Sequence, residues 1–197
     1  MTVVLHACCG PCASACVPRL RSEGHDVTLL FANSNIDTAE EFARRRDAAE
    51  TLAKADGVPF VALPYDHADW LKKVAAGFEN EPEKGARCAR CYRYNLEKAA
   101  AFAAEHGMDA FTTSLTVSPH KPSAVVFAAG EAAESSTPPY QSGFDSGRAE
   151  SMTPPRFLKD DFKKREGFKV SVRRAAELGL YRQAYCGCEF SKRETTK

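Results

Sequence analysis

The densest chemistry in this sequence is sulfur. Eight cysteines occur in 197 residues, and seven of them fall into three tight groups: Cys8, Cys9 and Cys12; Cys88 and Cys91; Cys186 and Cys188. Cysteines that act as small core hydrophobes are expected singly in apolar segments, so these groups point to metal ligation. Cys9-Gly10-Pro11-Cys12 alone matches the dithiol of a thioredoxin. A thiol fused directly before it would interfere with two-electron exchange, and the dithiol already follows the first strand. Four thiolates suit a structural zinc or a [4Fe–4S] cluster, and taking four from seven leaves three. Three protein ligands and a vacant position describe a catalytic metal. The count suggests two neighbouring sites, an electron-storing cluster and a metal able to take a substrate oxygen. A structural zinc site stays open as an alternative. Cys9 and Cys12 have the spacing to share one metal, with Cys8 expected to point the other way along the strand end. Cys88 and Cys91 are expected on the cluster, with Cys186 and Cys188 divided between the sites. Cys16, one turn after Cys12, is expected to be a buried core residue.

Such residues need a scaffold that brings distant segments together. Thr2 to Ala7, Asp26 to Ala32, Pro59 to Leu63, Ala110 to Val117 and Arg156 to Lys159 read as strands. Helices are expected from Pro11 to Gly24 and from a capping Thr38 to about Asp56, with Glu41 completing a capping box. Others are expected from Asp66 to Ala76, from beyond Cys91 to His106, from Pro119 to near Glu134, and from Val170 to Leu178. This alternation of near-continuous apolar strands with helices predicts an α/β fold, a parallel sheet flanked by helices. Its site is expected at the carboxyl ends of the strands, where Cys8 and Cys9 lie. Of the 21 residues from 135 to 155, 13 are Ser, Thr, Pro or Gly, which predicts a mobile surface insertion bearing Tyr140 and Phe144. The remainder is expected to form one iron–sulfur domain spanning 1–197.

The totals limit the partners. Net charge is +1, from 27 basic and 26 acidic residues, so any polyanion footprint must be local. No apolar run approaches the roughly 18 residues of a membrane span. No basic-then-apolar leader precedes the first strand, so a cytoplasmic protein with reduced thiols is expected. No membrane contact is expected, and a monomer is. Arg44, Arg45 and Arg46, Arg87, Arg90, Arg93, Lys121 and Arg182 are the candidate cations, although Glu41 and Arg45 at i, i+4 also suit a surface ion pair. Tyr181 and Tyr185 flank Arg182 and Gln183 just before the last cysteines and are candidate proton or hydrogen-bond donors. His6 reads as a buried structural histidine. Asn33 and Asn35 end the second strand and suit either a turn or a base edge.

Taken together, Leu5-His6-x-Cys8-Cys9-x-Pro11, Asn33-x-Asn35-Ile36, Arg87-Cys88-x-x-Cys91, Thr113-Ser114-Leu115 and Ser118-Pro119-x-Lys121 form a recognisable set. With the run from Leu178 to Ser191, they resemble the cobalamin-independent epoxyqueuosine reductases, the QueH family. The resemblance covers nearly the whole chain except 135–155. It implies a HUP-like (Rossmannoid) domain holding a [4Fe–4S] cluster beside a mononuclear iron. It also implies reduction of epoxyqueuosine to queuosine at the wobble base of tRNA, the last step of queuosine biosynthesis. Tyr181, Arg182 and Tyr185 then become catalytic candidates, and Asn33, Asn35, Arg45, Arg87, Ser118, Lys121 and Gln183 substrate-binding ones. Some family members carry Asp where this chain has Cys12, so the second metal site is softer here. Pro122, where a polar residue is common after the lysine, alters the local contacts.

Removing an epoxide oxygen to leave an alkene takes two electrons and two protons. No G-x-G-x-x-G follows a strand and no P-loop pattern occurs, so an external low-potential electron donor is expected. A tRNA-thiolating enzyme of the ATP-pyrophosphatase fold is the alternative from another class. That reading needs a glycine- and serine-rich loop where Cys8-Cys9-Gly10-Pro11-Cys12 stands.

Overall fold

The apolar runs pair into one parallel sheet in the computed structural model, which describes residues 1–138 and 153–195. Its strands are β1 (Thr2–His6), β2 (Asp26–Phe31), β3 (Phe60–Ala62), β4 (Ala110–Thr113) and β5 (Arg156–Phe157), in the order β3-β2-β1-β4-β5. The helices are α1 (Gly10–Ser22), α2 (Ala39–Asp56), α3 (His67–Trp70), α4 (Ala86–Glu105), α5 (Ser123–Ser136), α6 (Gly167–Glu177) and α7 (Glu189–Thr195). β1 is central, with Leu5 in register with Leu29 of β2 and with Thr112 of β4.

Side chains alternate across the strands and so feed two cores. Leu5, Leu29 and Phe31 meet α1, α2 and α6, while Val4, Leu30 and Phe111 meet α4 and α5. Each large side chain buried there contributes about 1.5–3 kcal/mol, and a one-residue slip would exchange the two faces. The fold is therefore the expected Rossmann-like α/β arrangement, covered on both sides. No described helix is long and apolar enough to cross a membrane.

Local sequence explains where several elements start. Thr38 caps α2, its Oγ1 accepting the Glu41 N–H at 3.2 Å. The expected capping box is only half formed, because the Glu41 carboxylate turns to Arg45 at 2.7 Å and to Tyr181. Gly10 opens α1 where a Cβ would sit 2.6 Å from the Ala48 carbonyl oxygen, so only glycine allows α1 to lie this close to α2.

Other expectations are corrected. β4 stops at Thr113 because Thr113 Oγ1 accepts the Leu115 N–H at 3.1 Å, turning Ser114–Val117 into a 3₁₀ turn. α4 begins at Ala86, so Cys88 and Cys91 lie within the helix and do not merely precede it. After Trp70 the chain widens into a π turn, Leu71–Ala75. A further helix, α7, follows the last cysteines, where the pattern predicts none. The insertion expected at 135–155, with Tyr140 and Phe144, falls largely outside the described residues, and Ser135 and Ser136 belong to α5.

The strand order changes direction between β1 and β4, which places a crevice beyond their carboxyl ends. Ser114, just after β4, ties the two ends together. Its Oγ accepts the Cys8 N–H at 3.0 Å and donates to Cys8 Sγ at 3.3 Å.

Candidate metal centre

Cys8, Cys9 and Cys12 converge in this crevice. Their sulfurs all lie within 4.8 Å of one another. Cys8 therefore does not point away, as its strand position suggested, because β1 has ended at His6 and alternation no longer governs it. Cys9 sits at the N-cap of α1 in an extended conformation, its Sγ accepting the Cys12 N–H at 3.4 Å. Hydrogen bonds from Cys12 and then Cys8 pull the Cys9 thiol well below its usual pKa. Cys12 is pushed well above its own by hydrogen bonding to Cys8 and Cys9. Cys12 draws Cys8 down, but Cys9 and burial outweigh it and push Cys8 up to about 12. The three sulfurs therefore do not ionise independently: each thiolate formed opposes the next. Full deprotonation requires a cation between them, and a thiolate-binding metal fits that demand.

A second sulfur group forms opposite. Cys88 and Cys91 sit on the first turns of α4, with Cys88 Sγ accepting the Lys84 N–H at 3.3 Å and Cys91 Sγ the Asn95 amide at 3.8 Å. Burial raises Cys88, Cys91 and Cys188, and the charge of Cys186 raises each further. Cys88, Cys91 and Cys186 line one cavity, and Cys188 does not reach its wall. Cys188 is buried beside Cys91 in an apolar cluster with Trp70 and Phe190. All eight cysteines are free thiols. Cys16 is fully buried, its S–H donating to the Cys12 carbonyl at 3.5 Å, as a core residue should.

Lys121 lies between the groups. Its ammonium donates to Cys186 Sγ at 3.3 Å. Burial lowers its pKa, but Cys186, Tyr92 and Cys8 outweigh burial and hold it well above the usual lysine value. Its ammonium thus sits among sulfurs.

One cavity of about 520 Å³ opens onto both sulfur groups. Of the residues singled out from sequence, it is lined by Asn33, Asn35, Ser118 and Lys121, and by Arg182, Gln183 and Tyr185 near the C-terminus. The asparagines are partly committed: Asn33 Nδ2 donates to the Ala7 carbonyl at 2.8 Å, and Asn35 Oδ1 accepts from Asn95 at 3.1 Å. The Tyr185 hydroxyl donates to Asp37 at 2.6 Å.

Three expected residues lie elsewhere. Tyr181 donates its hydroxyl to both Glu41 oxygens, at 2.9 and 3.1 Å, and does not line the cavity. Arg87 is buried and spends its guanidinium on the carbonyls of Phe78 and Glu79, at 2.9 and 3.3 Å. Arg45 is 2% exposed, which excludes direct phosphate contact; its Nη1 donates to the Cys186 carbonyl at 2.8 Å. His6 is the buried structural histidine expected, its Nδ1 2.9 Å from Thr113 Oγ1, and burial lowers it to about 4.

Sequence reasoning missed Tyr92, Asn95 and Phe168 on the cavity wall, and had Ser114 only as part of a motif with no role assigned. Cys88, Cys91, Tyr92 and Asn95 recur at i, i+3, i+4 and i+7, a helical stripe that was readable. Phe168 carries no such signal.

The chain matches the family model described as Epoxyqueuosine reductase QueH over residues 3–194. It is 34% identical over 196 residues to a QueH epoxyqueuosine reductase of Streptococcus pyogenes serotype M1, covering 96% of this chain and 70% of that protein. To the Acinetobacter baylyi protein of the same name it is 33% identical, covering 99% of this chain and 82% of the relative. A crystal structure described as a predicted subunit of tRNA methyltransferase from Methanocaldococcus jannaschii superposes with a TM-score of 0.53 at 15% identity. That superposition covers 90% of this chain and 75% of the other, and the likeness concerns the fold alone. Two groups of thiols on one cavity, in a chain so matched from end to end, leave one assignment: this protein belongs to the QueH family of epoxyqueuosine reductases.

Proposed function

We propose that this protein is an oxidoreductase that reduces epoxyqueuosine to queuosine at the wobble position of tRNA, with electrons from an external low-potential donor. The observation that carries the reading is the pair of sulfur groups opening onto one cavity with Lys121 between them. In the reaction both epoxide C–O bonds break, a C=C bond forms, and two electrons and two protons carry the oxygen away as water.

The convergence of Cys8, Cys9 and Cys12 supports assigning them to one centre and the other four cysteines to a second. Cys8, Cys9 and Cys12 would hold a mononuclear iron, and Cys88, Cys91, Cys186 and Cys188 a [4Fe–4S] cluster. When bound, these centres supply a Lewis-acidic position and an electron store. The chain's own residues position and screen. Lys121 sets a positive charge beside Cys186 and offsets the negative charge of the thiolates. Asn33, Asn35 and Gln183 orient the modified base from the cavity wall. Ser118 and Arg182 take polar contacts nearer the mouth. Arg45 holds the chain at Cys186, and Arg87 ties the start of α4 to the segment before it, so both act on substrate only indirectly. Reduced thiols suit a cytoplasmic setting.

The test is conversion of tRNA-bound epoxyqueuosine by anaerobically prepared protein reduced with dithionite, read by mass spectrometry of the digested nucleosides. A product one oxygen lighter is expected. Failure of iron-loaded protein to convert it overturns the reading, and an ATP-dependent modification in its place revives the ATP-pyrophosphatase alternative.

A further inference from the structure

At the mouth of the cavity stands a ring that the sulfur chemistry does not use. Phe168, on the first turn of α6, lines the cavity and is 40% exposed. Among the described residues only Met1, Phe168 and Val172 are large exposed hydrophobics, and Val172 lies one turn further along the same helix face.

The ring is held there at a cost. Arg165 and Glu166, immediately before α6, are consecutive left-handed residues with φ of 58° and 59°. Such conformations in non-glycine residues persist only where the surroundings enforce them. Gly167 follows because a Cβ would collide with the Phe162 carbonyl oxygen. Phe162 is buried under the Arg19 guanidinium, which lies 5.2 Å from its ring centre. Lys163 ties the same turn to the loop bearing Lys121, donating to the Lys121 carbonyl at 2.9 Å and to Ser123 Oγ at 2.7 Å. The turn therefore fixes Phe168 relative to the cavity.

The surroundings of the ring are cationic. Lys84 and Arg182 line the same mouth, are exposed, and have no ion-pair partner among the described residues. Around Phe168, Lys164, Arg165, Lys169 and Arg173 are exposed as well. Arg165, Lys169 and Arg173 pair with exposed Glu23, Glu166 and Glu177, contacts that solvent weakens and a polyanion can replace. Two apolar side chains fall well short of the core of a protein–protein interface. A single ring flanked by unpaired cations suits an unstacked nucleobase with its phosphates.

We propose that Phe168 is a stacking platform for an unpaired base of the RNA, a neighbour of the modified base that enters the cavity, with Lys84 and Arg182 on the flanking phosphates. The inference rests on the tRNA reading above.

Its test is the affinity of full-length, anaerobically iron-loaded protein for a fluorescein-labelled RNA hairpin with an unpaired loop, followed by anisotropy. Phe168→Trp should bind as tightly as the unaltered protein. Phe168→Leu and Phe168→Ala should bind ~5- to 100-fold more weakly, the range expected for loss of one base–aromatic stack. KM for tRNA should rise by a similar factor, with kcat and iron content held. Phe168→Leu keeps apolar bulk, so RNA affinity equal to that of the unaltered protein in this variant overturns the inference. So does an effect confined to the KM of a protein electron donor, which would mark docking of that partner instead. If the unaltered protein fails to reduce epoxyqueuosine in tRNA while Phe168-dependent RNA binding persists, the proposed function fails, and of this inference the stacking of an RNA base on Phe168 stands without its link to the modified base.

Discussion

Removing Arg45 should separate the stability of this fold from its hold on metal. Arg45 Nε donates to Glu41 at 2.7 Å, Nη1 to the Cys186 carbonyl at 2.8 Å and Nη2 to the Tyr185 carbonyl at 3.3 Å. Its guanidinium also lies 5.0 Å from the Tyr185 ring centre. Arg45→Met therefore strands a buried Glu41 carboxylate and frees the strand of chain that carries Cys186. Breaking one side of a buried pair costs about 3–5 kcal/mol. The Tyr181 hydroxyl still reaches Glu41, and Arg44 lies 3.5 Å away but 61% exposed, so the lower end applies. A loss of about 3 kcal/mol corresponds to a Tm lower by roughly 6–12 °C in a chain of this size. Glu41→Gln combined with Arg45→Met removes the stranded charge and should recover most of the stability, a coupling that a double-mutant cycle measures. It cannot restore the anchor on the Cys186 carbonyl. Urea unfolding and the rate of iron loss to a chelator should therefore part company: stability returns in the double variant, and fast iron loss stays. If Arg45→Met keeps iron as long as the unaltered protein does, the assignment of Arg45 as the positioner of Cys186 is wrong.

Further expectations follow from individual side chains. Cys88→Ser should lose most of its iron, whereas Cys16→Ser, buried and bonded only to a backbone carbonyl, should keep it; equal loss by elemental analysis would undo the ligand count. Lys121→Met removes the cation 3.3 Å from Cys186 Sγ and should shift the cluster midpoint to more negative potential in a spectroelectrochemical titration, with iron content retained. An unchanged midpoint would mean that the ammonium does not act on the cluster. At Asp37, burial raises the carboxyl pKa but hydrogen bonds from Lys192 and Tyr185 win, leaving it below the ordinary aspartate value. A depressed carboxyl contributes stability that is present above its unfolded pKa and is lost as pH falls through its folded one. Asp37→Asn should therefore flatten the acid limb of the Tm–pH curve below about pH 4, and an unaltered limb would show that the tether is not stabilising.

The parts of this structure that were readable are those set by periodicity or by residue type. Val3, Val4 and Leu5 could be placed in a buried strand because near-continuous apolar runs suit a sheet covered on both faces, while its central position came only with the pairing. The cysteines could be read as a candidate metal site because seven of eight fall into tight groups, and Cys8, Cys9 and Cys12 do converge within 4.8 Å. What stayed hidden depended on contacts distant in the chain. Arg45 reads as one of three surface arginines, and only the arrival of Cys186 from 141 residues away buries it. Strand alternation misdirects Cys8 because β1 ends at His6, two residues before it. The Thr113 hydroxyl ended β4 early, a local hydrogen bond that apolar patterning cannot register. Phe168 sits in Gly167-Phe168-Lys169-Val170, where no pattern distinguishes an exposed ring from a core one.

The claim beneath this account is that two thiolate groups hold two different metal centres on one cavity. Anomalous diffraction at the iron edge, from crystals of anaerobically loaded protein, tests it most directly. The account predicts about five irons per chain, four within reach of Cys88, Cys91, Cys186 and Cys188 and one at Cys8, Cys9 and Cys12. A single zinc in place of the irons, or one centre ligated by cysteines from both groups, would contradict it.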